Sequence, residues 1–287
     1  MGTVRIVCFV FWLVLPATVA LAGTDSCRQL VYPKSSDHWR AAYPVELLRS
    51  ALANSPRCYQ IRASEHEAPK ARNFLRLRNR LGLDVVWSMT TREREQSHRP
   101  IRIPLNKGLM GNRVALVRAD QTDLLAGVKN LEQLRQFSAG QMYVWSDTEV
   151  LVANQLTVVP GSGYAALFRM LVAGRFDYFP RSVTEVLQEL EHQPQLALDP
   201  HLIIRYPAAM YFFVHPDDVE LAGDIEAGLR RMIAEGDFDD LFQHYFGDLI
   251  SQLKLPERRV IALKNPLLPE ATPLCEKDLW WVDMCPK

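Results

Sequence analysis

The sequence predicts an α/β protein made of two similar lobes. Helix and strand signals alternate along the chain, which is typical of largely parallel sheets covered by helices. The alternation begins near residue 30 and starts again near residue 131 in the same pattern. A predicted leader would leave about 265 residues, and a chain of that length favours two lobes over a single core.

The first set of elements is read from hydrophobic spacing. Leu47, Leu48, Ala51 and Leu52 recur at helical spacing, and short apolar runs bounded by turn residues predict strands. The predicted order is strand 30–33, helix 44–53, strand 59–61, helix 69–81 ended by Gly82, strand 84–87, and then strands 101–103 and 113–117.

The second set repeats the alternation and ends in a tail. Its predicted elements are helix 131–137, strand 141–145, helix 149–153, helix 164–173 ended by Gly174, strand 176–179, helix 184–191, strands 203–205 and 210–214, and helices 221–234 and 238–253. The proline-rich remainder is expected to be extended and held to one lobe by a disulfide.

The N-terminus has the features of a signal peptide. Arg5 precedes an apolar run over residues 6–19, and Ala20-Leu21-Ala22 supplies the small-x-small pattern before Gly23. A membrane anchor is the alternative, but this run is shorter than the roughly 20 apolar residues that a bilayer span needs. We therefore expect residues 1–22 to be removed on export.

Four cysteines would remain after cleavage: Cys27, Cys58, Cys275 and Cys285. An even number in an exported protein predicts disulfides, and four cysteines allow three pairings. Cys27 and Cys58 each open a predicted strand, on either side of one helix, and Cys275 lies close to Cys285, so these two pairs are favoured. A zinc site is the alternative, but C-x-x-C is absent and the histidines are scattered, so neither a metal nor another cofactor is expected.

The charge balance argues against nucleic acid as a partner. The chain carries 33 basic and 33 acidic residues, for a formal net charge of +0. Binding to phosphate backbones needs a concentrated excess of Lys and Arg. A small molecule is the expected ligand.

Four stretches give the chain a resemblance to the family 3 extracellular solute-binding proteins, which include periplasmic receptors for polar amino acids. Their order and spacing resemble the family pattern over most of residues 83–250. The stretches are Leu83-Asp84-Val85-Val86 with Thr91-Arg92-Glu93-Arg94, Leu171-Val172-Ala173-Gly174-Arg175-Phe176-Asp177-Tyr178, Tyr211-Phe212-Phe213-Val214-His215 with Asp217-Asp218, and Met232-Ile233-Ala234-Glu235-Gly236-Asp237-Phe238 through His244-Tyr245-Phe246-Gly247.

The resemblance implies a type II periplasmic-binding fold, with two similar α/β lobes joined by a two-strand hinge. Lobe 1 would comprise residues 24–115 and 210–287, and lobe 2 residues 116–209. It further implies a periplasmic monomer that holds a small polar, carboxylate-bearing molecule for an ABC-type permease and is not an enzyme. The alternatives are a sensory module that docks on a membrane receptor, and a dehydratase-like enzyme that uses Glu93, Glu149 or Glu185.

The first-lobe candidates follow the third predicted strand. Open α/β sheets bind ligands at the carboxyl ends of their strands, so Trp87, Ser88 and Thr90 are expected in the site. Arg94 is expected to grip a carboxylate through paired, charge-assisted hydrogen bonds. Each has an alternative role: the hydroxyls of Ser88, Thr90 and Thr91 would cap a turn, Trp87 would cover the lobe core, and Arg94 would bridge a neighbouring glutamate at the surface.

The second-lobe candidates lie in two loops. Trp145, Ser146, Asp147 and Thr148 precede a helix whose N-terminal N–H groups favour an anion, although Asp147 would alternatively serve as the N-cap. Arg181 and Ser182 occupy the region where the family's amino-acid receptors carry an acid that pairs with the α-amino group. Because neither is acidic, an anionic ligand is expected in preference to an ordinary amino acid, unless Arg181 is merely exposed.

Overall fold

The computed structural model describes residues 1–2, 27–35 and 38–286. Most of the predicted signal peptide, residues 3–22, lies outside these ranges. Within them, no helix is both long enough and apolar enough to cross a membrane.

The helices cover the faces of the sheets. In chain order they are α1 (His38–Ala53), α2 (Lys70–Arg78), α3 (Arg92–Ser97), α4 (Leu131–Leu134), α5 (Ser146–Ala153), α6 (Tyr164–Val172), α7 (Val186–Leu190), α8 (Val219–Glu235) and α9 (Asp237–Gln252).

The strands form two groups. In chain order the strands are β1 (Arg28–Lys34), β2 (Tyr59–Glu67), β3 (Val85–Met89), β4 (Arg99–Ile101), β5 (Asn112–Arg118), β6 (Ser138–Met142), β7 (Thr157–Gly161), β8 (Phe179–Ser182), β9 (Leu196–Leu198), β10 (Leu202–Arg205), β11 (Met210–Val214) and β12 (Arg259–Ala262). The first group contains β1 to β4 with β11, and the second contains β5 to β10 with β12.

The first group has the order β2-β1-β3-β11-β4. Strands β1 and β2 pair in parallel, and β11 pairs antiparallel with both β3 and β4. Asp84 joins β1 to the start of β3, because Val31 N–H donates to its carboxylate at 2.8 Å and Asp84 N–H donates to the Val31 carbonyl at 2.9 Å. Helices α1, α8 and α9 pack together beside this group, with Leu47, Leu229 and Phe242 almost fully buried.

The second group repeats the arrangement. Strands β6 and β7 pair in parallel, β8 lies beside β6, and β5 pairs antiparallel with β8. The opposite edge of β5 pairs antiparallel with β9 and β10. The prediction of two similar α/β lobes is therefore confirmed. Each lobe contains one antiparallel strand that follows a chain crossing: β11 in the first group and β5 in the second.

Two chain crossings connect the groups, over residues 102–111 and 206–209. They touch at Gly111, whose carbonyl accepts the Tyr206 N–H at 3.0 Å. A Cβ atom on Gly111 would lie 2.1 Å from the Tyr206 carbonyl oxygen, so a side chain there would force the two crossings apart.

The C-terminal segment makes a third connection that the sequence did not predict. Strand β12 pairs in parallel with β10, in the second group, although 210–287 was assigned to lobe 1. Asn265 then donates to the carbonyl of Pro207 in the hinge at 2.9 Å. Farther on, Trp281 N–H donates to the Lys107 carbonyl at 2.8 Å. The lobe boundaries themselves stay a prediction, but residues 259–262 belong to the second sheet by their hydrogen bonds.

Two predicted strands are displaced by three residues. The strand predicted at 141–145 is β6, which ends at Met142, and the one predicted at 176–179 is β8, which begins at Phe179. Gly140 allows β6 to lie against the Phe176 ring, since a Cβ atom there would be 2.1 Å from that ring. The small residues of β6 therefore form the buried strand, and the apolar run that follows them is left in a turn.

Both disulfides join the pairs favoured from the sequence, Cys27 with Cys58 and Cys275 with Cys285. The first fixes the start of β1 to the residue before β2. The second closes a short loop in the C-terminal tail. No cluster of residues suited to holding a metal ion occurs among those that the structure describes.

Candidate functional site

A cleft of about 1350 Å³ opens between the two groups of strands. Its first-lobe wall comes from α2, the end of β3 and α3, and its second-lobe wall comes from β5, the turn after β6, α5, α6 and the loop after β8. Among the predicted site residues, those that line it are Ser88, Arg94, Trp145, Ser146, Asp147 and Arg181.

Arg94 lies in the first turn of α3, which the sequence did not predict as a helix. Thr91 is the N-cap, and its hydroxyl accepts the Arg94 N–H at 3.2 Å. The guanidinium donates to the Met89 carbonyl at 2.6 Å and lies 5.3 Å from the centroid of the Phe74 ring. Burial lowers the pKa of Arg94, and the nearby charge of Glu93 only partly offsets this effect. Among the described residues, Arg94 therefore does not form the surface ion pair with a neighbouring glutamate that was its alternative role.

Arg94 has no carboxylate within 4.0 Å among the described residues. Ser88 lies close by in the sequence, near the end of β3. It is only 2 % exposed, and its hydroxyl has no hydrogen-bond partner within the part of the chain that the structure describes. Buried polar groups are nearly always hydrogen-bonded, so the Ser88 hydroxyl, together with a guanidinium that has no described carboxylate partner, marks a place for a polar ligand.

Two other first-lobe candidates do not reach the cleft. The Thr90 hydroxyl donates to Glu95 at 2.7 Å, and that carboxylate also accepts from Arg102. Trp87 packs between Tyr32 and Phe212, with centroid distances of 5.9 and 6.4 Å. Thr90 therefore positions α3, and Trp87 covers the lobe core.

The loop candidates of the second lobe divide in the same way. Helix α5 begins at Ser146, with Trp145 in the N-cap position, so Asp147 lies inside the first turn and the alternative N-cap role of Asp147 is wrong. Asp147 instead accepts a hydrogen bond from Arg113 at 2.6 Å and a very short one from the Tyr206 hydroxyl. Thr148 donates to the Met142 carbonyl at 2.7 Å and does not line the cleft.

Arg181 is buried, so the alternative of an exposed arginine is wrong. It is also paired with carboxylates of the protein. Its Nε donates to Glu189 at 2.7 Å, and its Nη2 donates to Glu185 at 2.8 Å. Burial opposes its charge, but these two glutamates outweigh burial and raise the pKa of Arg181. Ser182 is fully buried, bonds to the Thr184 hydroxyl at 2.9 Å and lies outside the cleft.

Three rings surround the Arg181 guanidinium. Its central carbon lies 4.8 Å from the Trp145 ring centroid, 4.9 Å from Phe179 and 5.6 Å from Tyr164. The Trp145 and Phe179 rings are nearly parallel, at 9°. Tyr164 also donates to Glu189 at 2.7 Å, and burial together with that bond raises the pKa of Tyr164 above its ordinary value.

Arg113, at the start of β5, is a site residue that sequence reasoning missed. It lines the cleft but is 5 % exposed, and its Nε donates to Tyr206 at 2.9 Å. Burial opposes its charge, but Asp147 and Tyr206 outweigh burial and raise the pKa of Arg113. A lone cation opening the apolar run 114–117 was the available signal.

The missed acidic partners had a signal as well. Glu185 and Glu189 follow Arg181 by four and eight residues, so a turn and a short helix bring both carboxylates back to it. The apolar lining had no such signal, because Phe74, Leu75 and Met110 resemble ordinary core or surface residues in the sequence.

The fold of the chain is shared with solved structures. No protein-family model and no curated protein matches the sequence. The probable amino-acid ABC transporter extracellular-binding protein of Bacillus subtilis aligns with a TM-score of 0.60 and 15% identity, over 78% of this chain and 99% of that one. An ancestral arginine-binding protein bound to arginine aligns with a TM-score of 0.51 and 15% identity, over 76% and 98%.

A third similar structure is an ancestral amino-acid-binding protein described as a precursor of cyclohexadienyl dehydratase. It aligns with a TM-score of 0.52 and 14% identity, over 76% of this chain and 95% of that one. The chain therefore has the type II periplasmic-binding fold, in which two α/β lobes are joined by a hinge.

Proposed function

We propose that this chain is an exported solute-binding protein that holds a small carboxylate-bearing molecule between its lobes for ABC-type uptake. The observation that carries the proposal is Arg94, a half-buried guanidinium that lines the cleft without a carboxylate partner among the described residues. The hydroxyl of Ser88, which is buried and has no hydrogen-bond partner in the described part of the chain, supports it.

The chemistry of Arg94 suits this role. One of its N–H groups is held by the Met89 carbonyl, which fixes the orientation of the guanidinium plane. The remaining N–H groups are available to grip a carboxylate with two parallel charge-assisted bonds. Burial lowers the pKa of Arg94, and the nearby charge of Glu93 offsets this only in part. An anionic ligand supplies further compensation.

The structural neighbours support solute binding and uptake. The protein from Bacillus subtilis is named as an extracellular-binding component of a probable amino-acid ABC transporter, and the ancestral arginine-binding protein was solved with arginine bound. By analogy, we propose that this chain acts as a monomer in the periplasm after loss of residues 1–22 and docks on a permease.

The first experiment is a thermal-shift screen of the chain without its leader against organic acids and amino acids. A ligand at 100 times its Kd adds about 2.7 kcal/mol of stability. The tightest carboxylate is then compared by calorimetry between the parent and Arg94→Ala. Loss of one partner from a desolvated charge pair costs about 2 to 5 kcal/mol, so affinity falls at least about tenfold. Arg94→Lys is also expected to weaken binding.

The matched control is Arg72→Ala, an exposed arginine on α2 that does not line the cleft. It is expected to leave affinity unchanged. If Arg94→Ala folds normally and binds the carboxylate as tightly as the parent does, Arg94 is not the anchor and the proposal is wrong.

Catalysis is the alternative, because one structural neighbour is described as a precursor of cyclohexadienyl dehydratase. Glu93, Glu149 and Glu185, any one of which would serve as the acid of a dehydratase-like reaction, all line the cleft. Glu185 is already bonded to Arg181. We expect every carboxylate found in the screen to be recovered unchanged after incubation with the protein, as judged by NMR. Product formation would establish an enzyme instead.

A further inference from the structure

On the second-lobe wall of the cleft, the buried arginines form ion pairs with carboxylates of the protein itself. Arg113 is bonded to Asp147, and Arg181 is bonded to Glu185 and Glu189. The side chains of both arginines are less than one tenth exposed. The positive charges of Arg113 and Arg181 are therefore compensated by these three carboxylates, and neither arginine is left to bind an anionic ligand.

Aromatic rings form the part of this wall next to the paired charges. Trp145 and Tyr164 line the cleft, with centroids 6.3 Å apart, and the Arg181 guanidinium is packed against both. Bonds from Arg181 to two glutamates hold the guanidinium against these rings, and a bond from Tyr164 to one of the glutamates fixes the Tyr164 ring. Such a rigid aromatic surface is suited to packing against a flat apolar group.

Exposed apolar side chains extend this surface and face it from the other lobe. Val144, next to Trp145, is 61% exposed, and Tyr164 is 43% exposed. On the first lobe, Leu75 is 60% exposed, and it lines the cleft beside Phe74. Apolar side chains left exposed within one concave site mark a place where an apolar group is buried on binding.

The cleft also has room for more than a carboxylate head. Its volume of about 1350 Å³ exceeds the roughly 300–1,000 Å³ that is usual for small-molecule sites. Arg94 can hold one end of a ligand, and the same cleft, lined also by Trp145 and Val144, has room for a further group.

We propose that the ligand is an amphipathic carboxylate whose aromatic group packs on Trp145, Tyr164 and Val144 while Arg94 holds its anion. This inference rests on the proposed binding function and adds the class of ligand. It commits to a single, flat apolar group joined to a carboxylate by a short linker.

Three probes test it by calorimetry: 3-phenylpropanoate, propanoate and 3-phenylpropan-1-ol. The first has both groups, the second only the carboxylate, and the third only the ring. We expect 3-phenylpropanoate to bind at least about tenfold more tightly than either, because burial of a phenyl group is worth more than the 1.4 kcal/mol that corresponds to this factor.

Variants separate the two ends of the site. Leu75→Ser and Val144→Ser are each expected to weaken 3-phenylpropanoate at least about threefold and to leave propanoate unchanged. Trp145→Ala is expected to weaken it at least about tenfold. Arg94→Ala is expected to weaken both carboxylates.

The controls match the variants in residue type and exposure. Leu81→Ser replaces a leucine that is also 60% exposed, and Val152→Ser replaces a valine that is 56% exposed, and neither residue lines the cleft. Both are expected to bind 3-phenylpropanoate as the parent does. Because Leu75 and Val144 are exposed, their substitution is not expected to impair folding even if Trp145→Ala does.

The outcomes distinguish the two proposals. If propanoate binds as tightly as 3-phenylpropanoate and Arg94→Ala weakens both, the carboxylate site stands and the aromatic wall is overturned. If 3-phenylpropan-1-ol binds as tightly as 3-phenylpropanoate and Arg94→Ala has no effect, the aromatic wall stands and the carboxylate proposal is overturned. Absence of binding by all three probes overturns the ligand class proposed here.

Discussion

Charged side chains in this protein are buried in two different ways. Arg113 and Arg181 are almost fully buried and have carboxylate partners, and their pKa values are raised. Arg94 is half-buried without an ion-pair partner among the described residues, and burial lowers its pKa. Removing one partner of a buried pair is costly because the other charge stays buried. The paired arginines therefore maintain structure, and the unpaired one is the candidate for binding.

Asp224 provides a pH-dependent prediction at the level of a single residue. Arg57 donates to it at 2.8 Å and Tyr59 at 2.6 Å. Burial would raise the pKa of Asp224, but these hydrogen bonds outweigh burial and hold the pKa below its ordinary value. A carboxyl with a lowered pKa in the folded state stabilises the fold above its unfolded pKa of about 3.9, and this contribution is lost as the pH falls through the folded value.

We therefore expect Asp224→Asn to lower the free energy of unfolding by about 1 to 2 kcal/mol at pH 7. The difference from the parent should shrink as the pH falls below about 4. Urea unfolding at pH 7 and pH 3 measures it, and Asp248→Asn, an exposed acid on α9, is the control. An equal loss at both pH values would contradict the linkage.

Among the elements, the contact between α1 and α8 is unusually close. Gly228 on α8 faces the last turn of α1, and a Cβ atom there would lie 1.8 Å from the Ala51 carbonyl oxygen. That atom belongs to the backbone, so the helices themselves must separate to admit a methyl group. The glycine is therefore required by packing, although glycine lowers the stability of a helix interior.

Gly228→Ala is expected to lower the free energy of unfolding by about 1 to 3 kcal/mol or more, because overpacking outweighs the gain in helix propensity. Gly223 on the same helix is the control, since nothing lies within 4 Å of its Cβ position. Gly223→Ala should stabilise the protein by about 0.5 to 1 kcal/mol. Denaturant unfolding of both variants measures the contrast, and stabilisation by both would contradict the close contact.

For the whole molecule, the arrangement of crossings predicts hinge closure around a ligand. Small-angle scattering should show a smaller radius of gyration for the chain saturated with the tightest carboxylate of the screen than for the free chain. The C-terminal segment takes part, because it pairs with β10, contacts the hinge at Pro207 and returns to Lys107. An unchanged scattering profile at saturation would contradict closure.

Much of the fold follows from local sequence patterns. Strand β11 and helix α6 lie where hydrophobic spacing predicts them, and the disulfide between Cys27 and Cys58 follows from two cysteines that open neighbouring strands. The first and last residues of β6 and β8 do not follow from local patterns, because the packing of Gly140 against the Phe176 ring decides which residues are buried. Periodicity marks the existence of an element, and its register depends on what lies against it.

The site was determined in part by the sequence and in part by tertiary structure. The sequence predicted Ser88 just past a strand end, where open α/β sheets bind ligands, and the family resemblance implied Arg94; both line the cleft. Only the fold decided that Arg113 meets Tyr206, 93 residues away. A charge is free to bind a ligand only if no folded neighbour has neutralised it, and long-range pairing of strands settles which neighbours it has.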